Sequence, residues 1–280
     1  MDSFTIKKLL NNNVLIAVHA LYGEVVLIGK GLGFGKKHGD LIKSNSYEKM
    51  FVLKREIEQE QYKKLLPFIE EEFVEIMNDV IYLIKENVNV SVDEHIHIAL
   101  TDHISFAIKR LKQGIDLKNP FLMETKTLYP LEYKVAEKVV RLLNKTIDVH
   151  LPEGEIGFIA LHIHSAISKN SISEINHDSH LINTLVSLVE DSLKIKLDRE
   201  SIAYLRLARH IQHTIKRVKC GDIVKEQKEL ANLLKQEYPI CYNLSWKAIK
   251  VMQQTLKTPV NDAEVVYLTM HLQRLVNKTE

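Results

Sequence analysis

The chain has 280 residues, of which 45% are hydrophobic, and its 38 basic and 36 acidic residues give a formal net charge of +2. Its two cysteines do not provide a disulfide framework or a zinc-ligand spacing, and they suit a reducing cytosol. No apolar stretch approaches the roughly 20 residues of a membrane span, and the N-terminus lacks the pattern of a signal peptide. We therefore expect a cytoplasmic protein without membrane insertion.

Residues 1 to about 55 predict a small antiparallel β-sheet. Short β-rich runs alternate with segments rich in Asn and Gly, which tolerate the positive φ of tight hairpins. The predicted strands are Phe4–Leu10, Val14–Val18, Glu24–Ile28 and Met50–Leu53. A sheet this small has little core, so we expect a second copy of the chain to cover its apolar face. Residues 56–61, rich in Glu and Gln, are the predicted linker.

The segment Gly29–Lys37 combines glycines, lysines and one aromatic residue. It is not a Walker phosphate loop, because Lys30 stands where that motif requires glycine, and GxGxxG fails at Phe34. A solvated hairpin would explain the glycines but not an aromatic residue flanked by lysines. Lysines contact phosphates, glycines let the backbone approach, and an aromatic ring stacks on an unpaired base for roughly 1–3 kcal/mol. The segment is therefore a candidate RNA-contact surface.

From residue 62 onward the apolar periodicity is helical, and one helical module occurs twice. In the last helix of each module a Glu precedes a His by seven residues, Glu155 before His162 and Glu264 before His271. Seven residues are nearly two helical turns, so the carboxylate and the imidazole lie on one helix face. We expect five helices in each module.

An earlier helix of each module carries a second histidine. His103 is followed by Arg110, and His210 by Arg217, in both cases seven residues later. A lone histidine on an apolar helix face is usually a core or interface residue. Four equivalent histidines with matched acidic and basic companions make that explanation much weaker.

Local patterns predict where two of the helices begin. Ser91-Val-Asp-Glu94 has the form of a capping box and is expected to open the helix that bears His103. Lys169–Asn176, which is polar and contains serines, is the predicted linker between the modules.

Three chemical roles are open for the histidines. Metal binding is weakly supported, because the residues of His95/His97 and of His162/His164 point in different directions on a helix. Hydrolysis with histidine as the base lacks a visible nucleophile. Phosphoryl acceptance fits best, because neutral imidazole is a good nucleophile near pH 7. A glutamate can hold the ring in one tautomer, and an arginine can take up the new charge.

The segments Asn11–Asn13 and Gly29–Lys37 in a short sheet domain, followed by two His-containing helical repeats, resemble the BglG/SacY/LicT transcriptional antiterminators. The resemblance covers essentially the whole chain, which looks most like the glucose-operon type. It implies an α+β multidomain fold. A small antiparallel β-sheet RNA-binding domain, the co-antiterminator domain, would span residues 1–58. Two all-α helical-bundle regulatory domains, the phosphotransferase-system regulation domains, would span residues 62–170 and 176–280.

The resemblance also implies site residues in each domain. The expected phosphorylation sites are His103, His162, His210 and His271. The expected RNA-binding residues are Lys8, Asn13, Gly29, Lys30 and Phe34. Asn13 would read a base edge or a 2′-hydroxyl. No metal, cofactor or catalytic residue is implied, because the histidines accept phosphate from partner enzymes, so the chain is not expected to be an enzyme.

The function implied by the resemblance is transcription antitermination. A homodimer would stabilise a hairpin in the leader mRNA and thereby exclude the overlapping terminator hairpin. The sugar permease (enzyme II), here the glucose permease, would phosphorylate His103 and His162 when its sugar is absent and inactivate the dimer. The phosphocarrier HPr is a further expected partner, for His210 and His271. Two alternatives remain open: a DNA-binding activator with the same regulatory modules, and a histidine phosphoprotein without nucleic-acid function.

Overall fold

The computed structural model describes most of the chain. The described residues are 3–10, 12–43, 46–47, 49–52, 71–222 and 227–276. They form two compact units, the first comprising residues up to Leu117 together with Lys134–Lys169, and the second comprising Lys118–Tyr133 and residues from Asn170 onward. The predicted linker at 56–61 and the beginning of the first predicted helix lie outside the described residues. The bounds of the three domains stay a prediction.

The first unit begins with an antiparallel sheet. Its described strands are β1 Ser3–Leu9, β2 Val14–His19, β3 Gly23–Ile28, β4 Leu41–Lys43 and β5 Lys49–Val52. They lie in the order β4-β1-β2-β3-β5. The sequence predicted four of these strands and missed β4, because three residues after a turn are too short to show a period.

Within the first unit one face of the sheet is buried and the other is buried in part. One face packs eight apolar side chains together, namely Phe4, Ile6, Leu15, Ala17, Val25, Leu27, Leu32 and Ile42. The other face, formed by alternate residues of β2 and β3, packs against Val74 and Ile98 from the helices that follow. The rest of this face, which carries Thr5, Lys7 and Val18, is exposed. The expectation that a second copy of the chain covers the sheet stays a prediction.

Ten helices follow in the described part of the chain, five in each half, as the repeat predicted. They are α1 Glu71–Asn87, α2 His95–Lys112, α3 Leu122–Leu128, α4 Pro130–Thr146, α5 Glu153–Ser168, α6 Ile172–Leu193, α7 Ile202–Cys220, α8 Lys228–Glu237, α9 Pro239–Leu256 and α10 Ala263–Val276. The predicted fold class, a small antiparallel sheet followed by all-helical modules, is confirmed.

The predicted capping box at the start of α2 is wrong. The helix begins at His95, and the Glu94 side chain makes no capping hydrogen bond within the described structure. Instead, Asp93 Oδ1 accepts a hydrogen bond of 2.9 Å from the His95 N–H. The first N–H groups of a helix have no partner within the helix. The Asp93 side chain satisfies one of them, as the side chain of an N-cap residue does.

The linker predicted between the modules is mostly helical. Helix α6 begins at Ile172, and Ser171 and Glu174 form a reciprocal capping box in which each side chain accepts a hydrogen bond from the other residue's backbone N–H. The S-x-x-E pattern of a helix start was therefore present in the sequence. The segment was predicted to be a linker because only its polar composition was considered.

The packing of the helices places the two histidine-bearing elements of each module side by side. Helix α2 packs on α5 in the first unit, and α7 packs on α10 in the second. The short helix α3 belongs to the second unit, where it packs on α6 and α7. Tyr204 on α7 is buried and donates a hydrogen bond of 3.2 Å to Glu124 on α3.

Candidate functional site

The histidine site of the first module is built on a buried glutamate. Glu155 Oε2 lies 2.9 Å from His103 Nε2, and Arg110 donates a hydrogen bond to Oε1 of the same carboxylate. Burial alone would raise the pKa of Glu155, but the hydrogen bonds and charges of His103 and Arg110 together hold this pKa below its ordinary value. An ionised carboxylate only accepts hydrogen bonds, so the proton of a neutral His103 ring lies on Nε2. Nδ1 is then the nucleophilic nitrogen.

The second predicted histidine of this module lies beside the first. The rings of His103 and His162 have their centroids 4.9 Å apart. Burial lowers the pKa of His162 to about 3, and the nearby charges of His103 and His95 act in the same direction. Its Nδ1 is buried and has no hydrogen-bond partner among the described residues. The ring is therefore neutral at pH 7.

The second module holds its glutamate differently. Nε and Nη2 of Arg217 each donate a 2.8 Å hydrogen bond to Glu264, one to each carboxylate oxygen. The Thr214 hydroxyl donates a third, of 2.9 Å, to Oε2. Nε2 of His210 lies 4.0 Å from the same oxygen and has no hydrogen-bond partner in the described part of the chain. The carboxylate is thus satisfied without the histidine.

The two histidines of the second module are also neighbours. The ring centroids of His210 and His271 are 4.4 Å apart. Burial lowers the pKa of His210 to about 3, with the charges of His271 and Arg217 acting in the same direction. Burial and then the charge of Arg274 lower the pKa of His271 as well. Both rings are neutral nucleophiles at pH 7.

In each module the structure brings together the two predicted histidines and their predicted glutamate and arginine companions. Sequence reasoning missed Thr214, whose hydroxyl contacts Glu264. The equivalent position in the first module is Ala107, four residues after its histidine just as Thr214 is. Comparing the two copies position by position would have found this difference.

The loop that follows β3 is fastened to the turn between β1 and β2. The backbone N–H of Gly29 donates to the Asn13 carbonyl over 2.9 Å, and that of Gly33 to the Asn12 carbonyl over 2.7 Å. Asn13 Oδ1 accepts a further hydrogen bond from the Gly31 N–H. The predicted role of Asn13 as a base reader stays untested, but the structure gives this side chain a role in holding the loop.

The loop buries one apolar residue and presents another. Leu32 is buried in the sheet core, whereas the Phe34 side chain is 76% exposed. Gly31 and Gly35 flank this stretch with φ of +66° and +67°, values at which a side chain would be strained. The glycines therefore fix the path that turns Phe34 outward.

The other predicted RNA contacts are distributed around this loop. Lys30 is exposed, and Gly29, at the first turn of the loop, is buried. Lys8 is exposed at an irregularity of β1, where the pairing with β2 shifts between Ile6 and Lys8. A bulge of this kind bends the strand and re-aims its side chains.

The metal alternative concerns the pairs His95/His97 and His162/His164. His97 is buried and hydrogen-bonded through Nε2 to Asn78 Oδ1 at 3.1 Å, as a polar core residue would be. In the described ranges no three His, Cys, Asp or Glu side chains are grouped so that they could hold a metal ion. None of the described helices has the length and apolar character to cross a membrane.

Comparisons with known proteins agree with this architecture. The family model of the CAT RNA-binding domain matches residues 4–60, and that of the PRD domain matches residues 78–166 and again 183–275. The PtsGHI operon antiterminator of Bacillus subtilis is 60% identical over 276 residues, which cover 99% of this chain and 98% of that protein. The GlcA/glcB genes antiterminator of Staphylococcus carnosus is 42% identical over 282 residues, covering 100% and 98%.

A solved structure is similar as well. The crystal structure of GlcT CAT-PRDI has 64% sequence identity and a TM-score of 0.53, and the match covers 59% of this chain and 99% of that one. The sheet domain corresponds to the matched CAT RNA-binding domain, and the two helical modules correspond to the two matched PRD domains. The chain belongs to the BglG/SacY/LicT family of transcriptional antiterminators, and within that family it is of the glucose-operon, GlcT type.

Proposed function

We propose that the protein is an RNA-binding antiterminator of a glucose-uptake operon, controlled by histidine phosphorylation from the sugar phosphotransferase system. The observation that carries this proposal is the twofold occurrence of a close histidine pair beside a buried glutamate that is paired with an arginine. It is supported by the N-terminal sheet, which presents an exposed aromatic residue between lysines. Because the histidines receive phosphate from other proteins, the chain is a regulator and not an enzyme.

The sheet domain acts on the leader mRNA in the cytoplasm. Phe34 stacks on an unpaired base of the hairpin, and Lys8 and Lys30 neutralise its phosphates. A homodimer presents two such surfaces to the two strands of one imperfect hairpin. Once bound, the hairpin cannot rearrange into the overlapping terminator, so RNA polymerase continues.

The first module receives the phosphate when the sugar is absent. The lone pair of His103 Nδ1 attacks the phosphorus of the phosphorylated permease, enzyme II, and the bond between phosphorus and the donor atom breaks with its electrons. Arg110 lies beside the acceptor, and its Nε is a buried donor without a partner among the described residues. The new group carries about −1.5 to −2 charges, which disfavours a symmetric interface in which it faces its own copy. His162 is the second acceptor of this module.

The second module accepts phosphate at His210 and His271 from the phosphocarrier HPr. Its two neutral rings support this role. Phosphorylation of this module affects antitermination independently of the first module, because each module has its own glutamate–arginine pair.

The test is phosphate transfer from reconstituted phosphotransferase components, with and without the glucose permease, followed by mapping of the labelled histidines. We expect permease-dependent label that is lost in His103→Ala and retained in the matched control His150→Ala, whose histidine is exposed and outside both sites. The same samples should show loss of terminator read-through on a leader template. Label that arrives from HPr alone, on the second module only, would contradict control by the permease.

A further inference from the structure

The two modules differ at one buried position beside the glutamate. Thr214 follows His210 by four residues on α7, and Ala107 follows His103 by four residues on α2. Both side chains are buried. Residues four apart lie on the same helix face, so the two positions are equivalent with respect to their histidines.

The threonine hydroxyl joins the two charged residues of the second module. It donates to Glu264 Oε2 over 2.9 Å and accepts from Arg217 Nη2 over 3.1 Å. With the two direct hydrogen bonds from Arg217, both carboxylate oxygens are occupied. The His210 ring is left 4.0 Å away.

Alanine cannot make this contact in the first module. The corresponding carboxylate oxygen, Oε2 of Glu155, instead lies 2.9 Å from Nε2 of His103. The other oxygen takes the hydrogen bond from Arg110. The histidine thus makes the contact with the carboxylate oxygen that the threonine hydroxyl makes in the second module.

We propose that Thr214 is a positioning residue that holds Glu264 away from His210, whereas Ala107 leaves Glu155 free to prime His103. His103 is then the intrinsically faster phosphate acceptor of the two. This inference rests on the proposed function, because it assigns relative rates to the same histidines.

The chemistry of the transfer explains why the contact matters. When Nδ1 gives its lone pair to phosphorus, the N–P bond forms and the bond to the donor breaks with its electrons. The ring, still protonated on Nε2, becomes cationic. A carboxylate hydrogen-bonded to that Nε2–H stabilises the developing charge and fixes the reacting tautomer. Nε2 of His103 has such a partner, and Nε2 of His210 has none among the described residues.

The first experiment reads the ring tautomers directly, by nitrogen-15 NMR of the full chain at pH 7. In the wild type His103 should be the Nε2–H tautomer. Thr214→Val, which keeps the shape and removes the hydroxyl, should move His210 towards that tautomer. Thr214→Ser, which restores the hydroxyl, should leave His210 as in the wild type. Identical His210 spectra in Thr214→Val and wild type would overturn the proposal.

The second experiment measures acceptance from phosphoramidate, a small donor from which ammonia leaves and which needs no partner protein. We expect His103 to be phosphorylated about tenfold faster than His210, an effect as large as the one that orienting partners have on metal-ligating histidines. Thr214→Val should raise the rate at His210, and Thr214→Ser should not. Equal rates at both histidines in the wild type, or equal effects of the two substitutions, would overturn the inference.

The reciprocal substitution tests the first module. Ala107→Thr should slow phosphorylation at His103, while Ala107→Val controls for the added volume. If either variant fails to fold, the pair at position 214 still decides the matter. Failure of the permease to label a chain that shows the expected phosphoramidate pattern would refute the proposed function and leave this inference standing.

Discussion

Each of the two buried glutamates depends on two neighbouring side chains. Burying an ionised carboxylate is costly unless donors and an opposite charge surround it. Glu155 is satisfied by a histidine and an arginine, and Glu264 by an arginine and a threonine. The equivalent glutamates thus have different sets of hydrogen-bond partners, and an arginine is present in both sets.

Arg217→Met should destabilise the second unit, because it removes the charge that compensates Glu264. We expect a loss of about 2 kcal/mol in the free energy of unfolding, less than for a fully buried pair because Arg217 is partly exposed. Urea denaturation measures it. Arg206→Met, an exposed arginine on the same helix, is the matched control and should change little. Equal effects of the two substitutions would show that Glu264 does not need Arg217.

Phe34→Ala should weaken binding of the leader hairpin without affecting the fold, because its ring is exposed and available for stacking. The expected loss is roughly 1–3 kcal/mol of binding free energy. The control is Leu21→Ala, since Leu21 is 77% exposed in the turn between β2 and β3, away from the candidate loop. Filter binding or fluorescence anisotropy with a labelled hairpin compares them. An unchanged affinity for Phe34→Ala would remove stacking from the proposed interface.

The start of helix α6 is set by a local capping pattern. Ser171→Ala should remove half of the capping box of α6 and cost about 1 kcal/mol of stability. Ser173 is exposed and lies two residues further along the helix. Ser173→Ala removes the same hydroxyl group without removing a helix cap, so it should have little effect. Thermal denaturation followed by circular dichroism distinguishes them. If both variants melt together with the wild type, the capping box contributes no stability.

The elements that could not be predicted from the sequence were missed for one physical reason, which is their short length. Strand β4 has three residues and α3 has seven, too few for a hydrophobic period to emerge. The role of Thr214 depends on where a distant helix places Glu264, which no local pattern contains. The repeat, the five helices per module and the histidine pairs could be predicted because the duplication supplies a second copy against which each spacing is checked.

The chain as a whole should lose stability in mild acid because several histidines are held neutral. The folded-state pKa values of His162 and His210 are about 3, against 6.5 for a free ring. The unfolded chain therefore binds protons below about pH 6.5 that the folded chain does not, so this stability is present above pH 6.5 and is lost as pH falls towards 3. Glu155 acts in the same direction below its ordinary pKa of 4.5.

Comparing the free energy of unfolding at pH 7.5 and pH 5.5 tests this. Each of the two rings should contribute a loss of about 1 kcal/mol. The double variant His162→Gln with His210→Gln should lose less on acidification than the wild type. The control His150→Gln alters an exposed ring and should follow the wild type. Parallel losses in all three proteins would show that these rings do not set the acid sensitivity.

The hydrogen bonds that hold the loop after β3 to the neighbouring turn affect how fast the protein can bind RNA. The leader transcript commits to one of two hairpins while polymerase is still moving, so a regulator that arrives late has no effect, however tightly it binds. Asn12 and Asn13 hold the backbone of the loop through hydrogen bonds within the chain itself. Encounter then needs no ordering step, and association is not slowed by a change of shape. We therefore expect that this loop favours rapid capture of the leader hairpin.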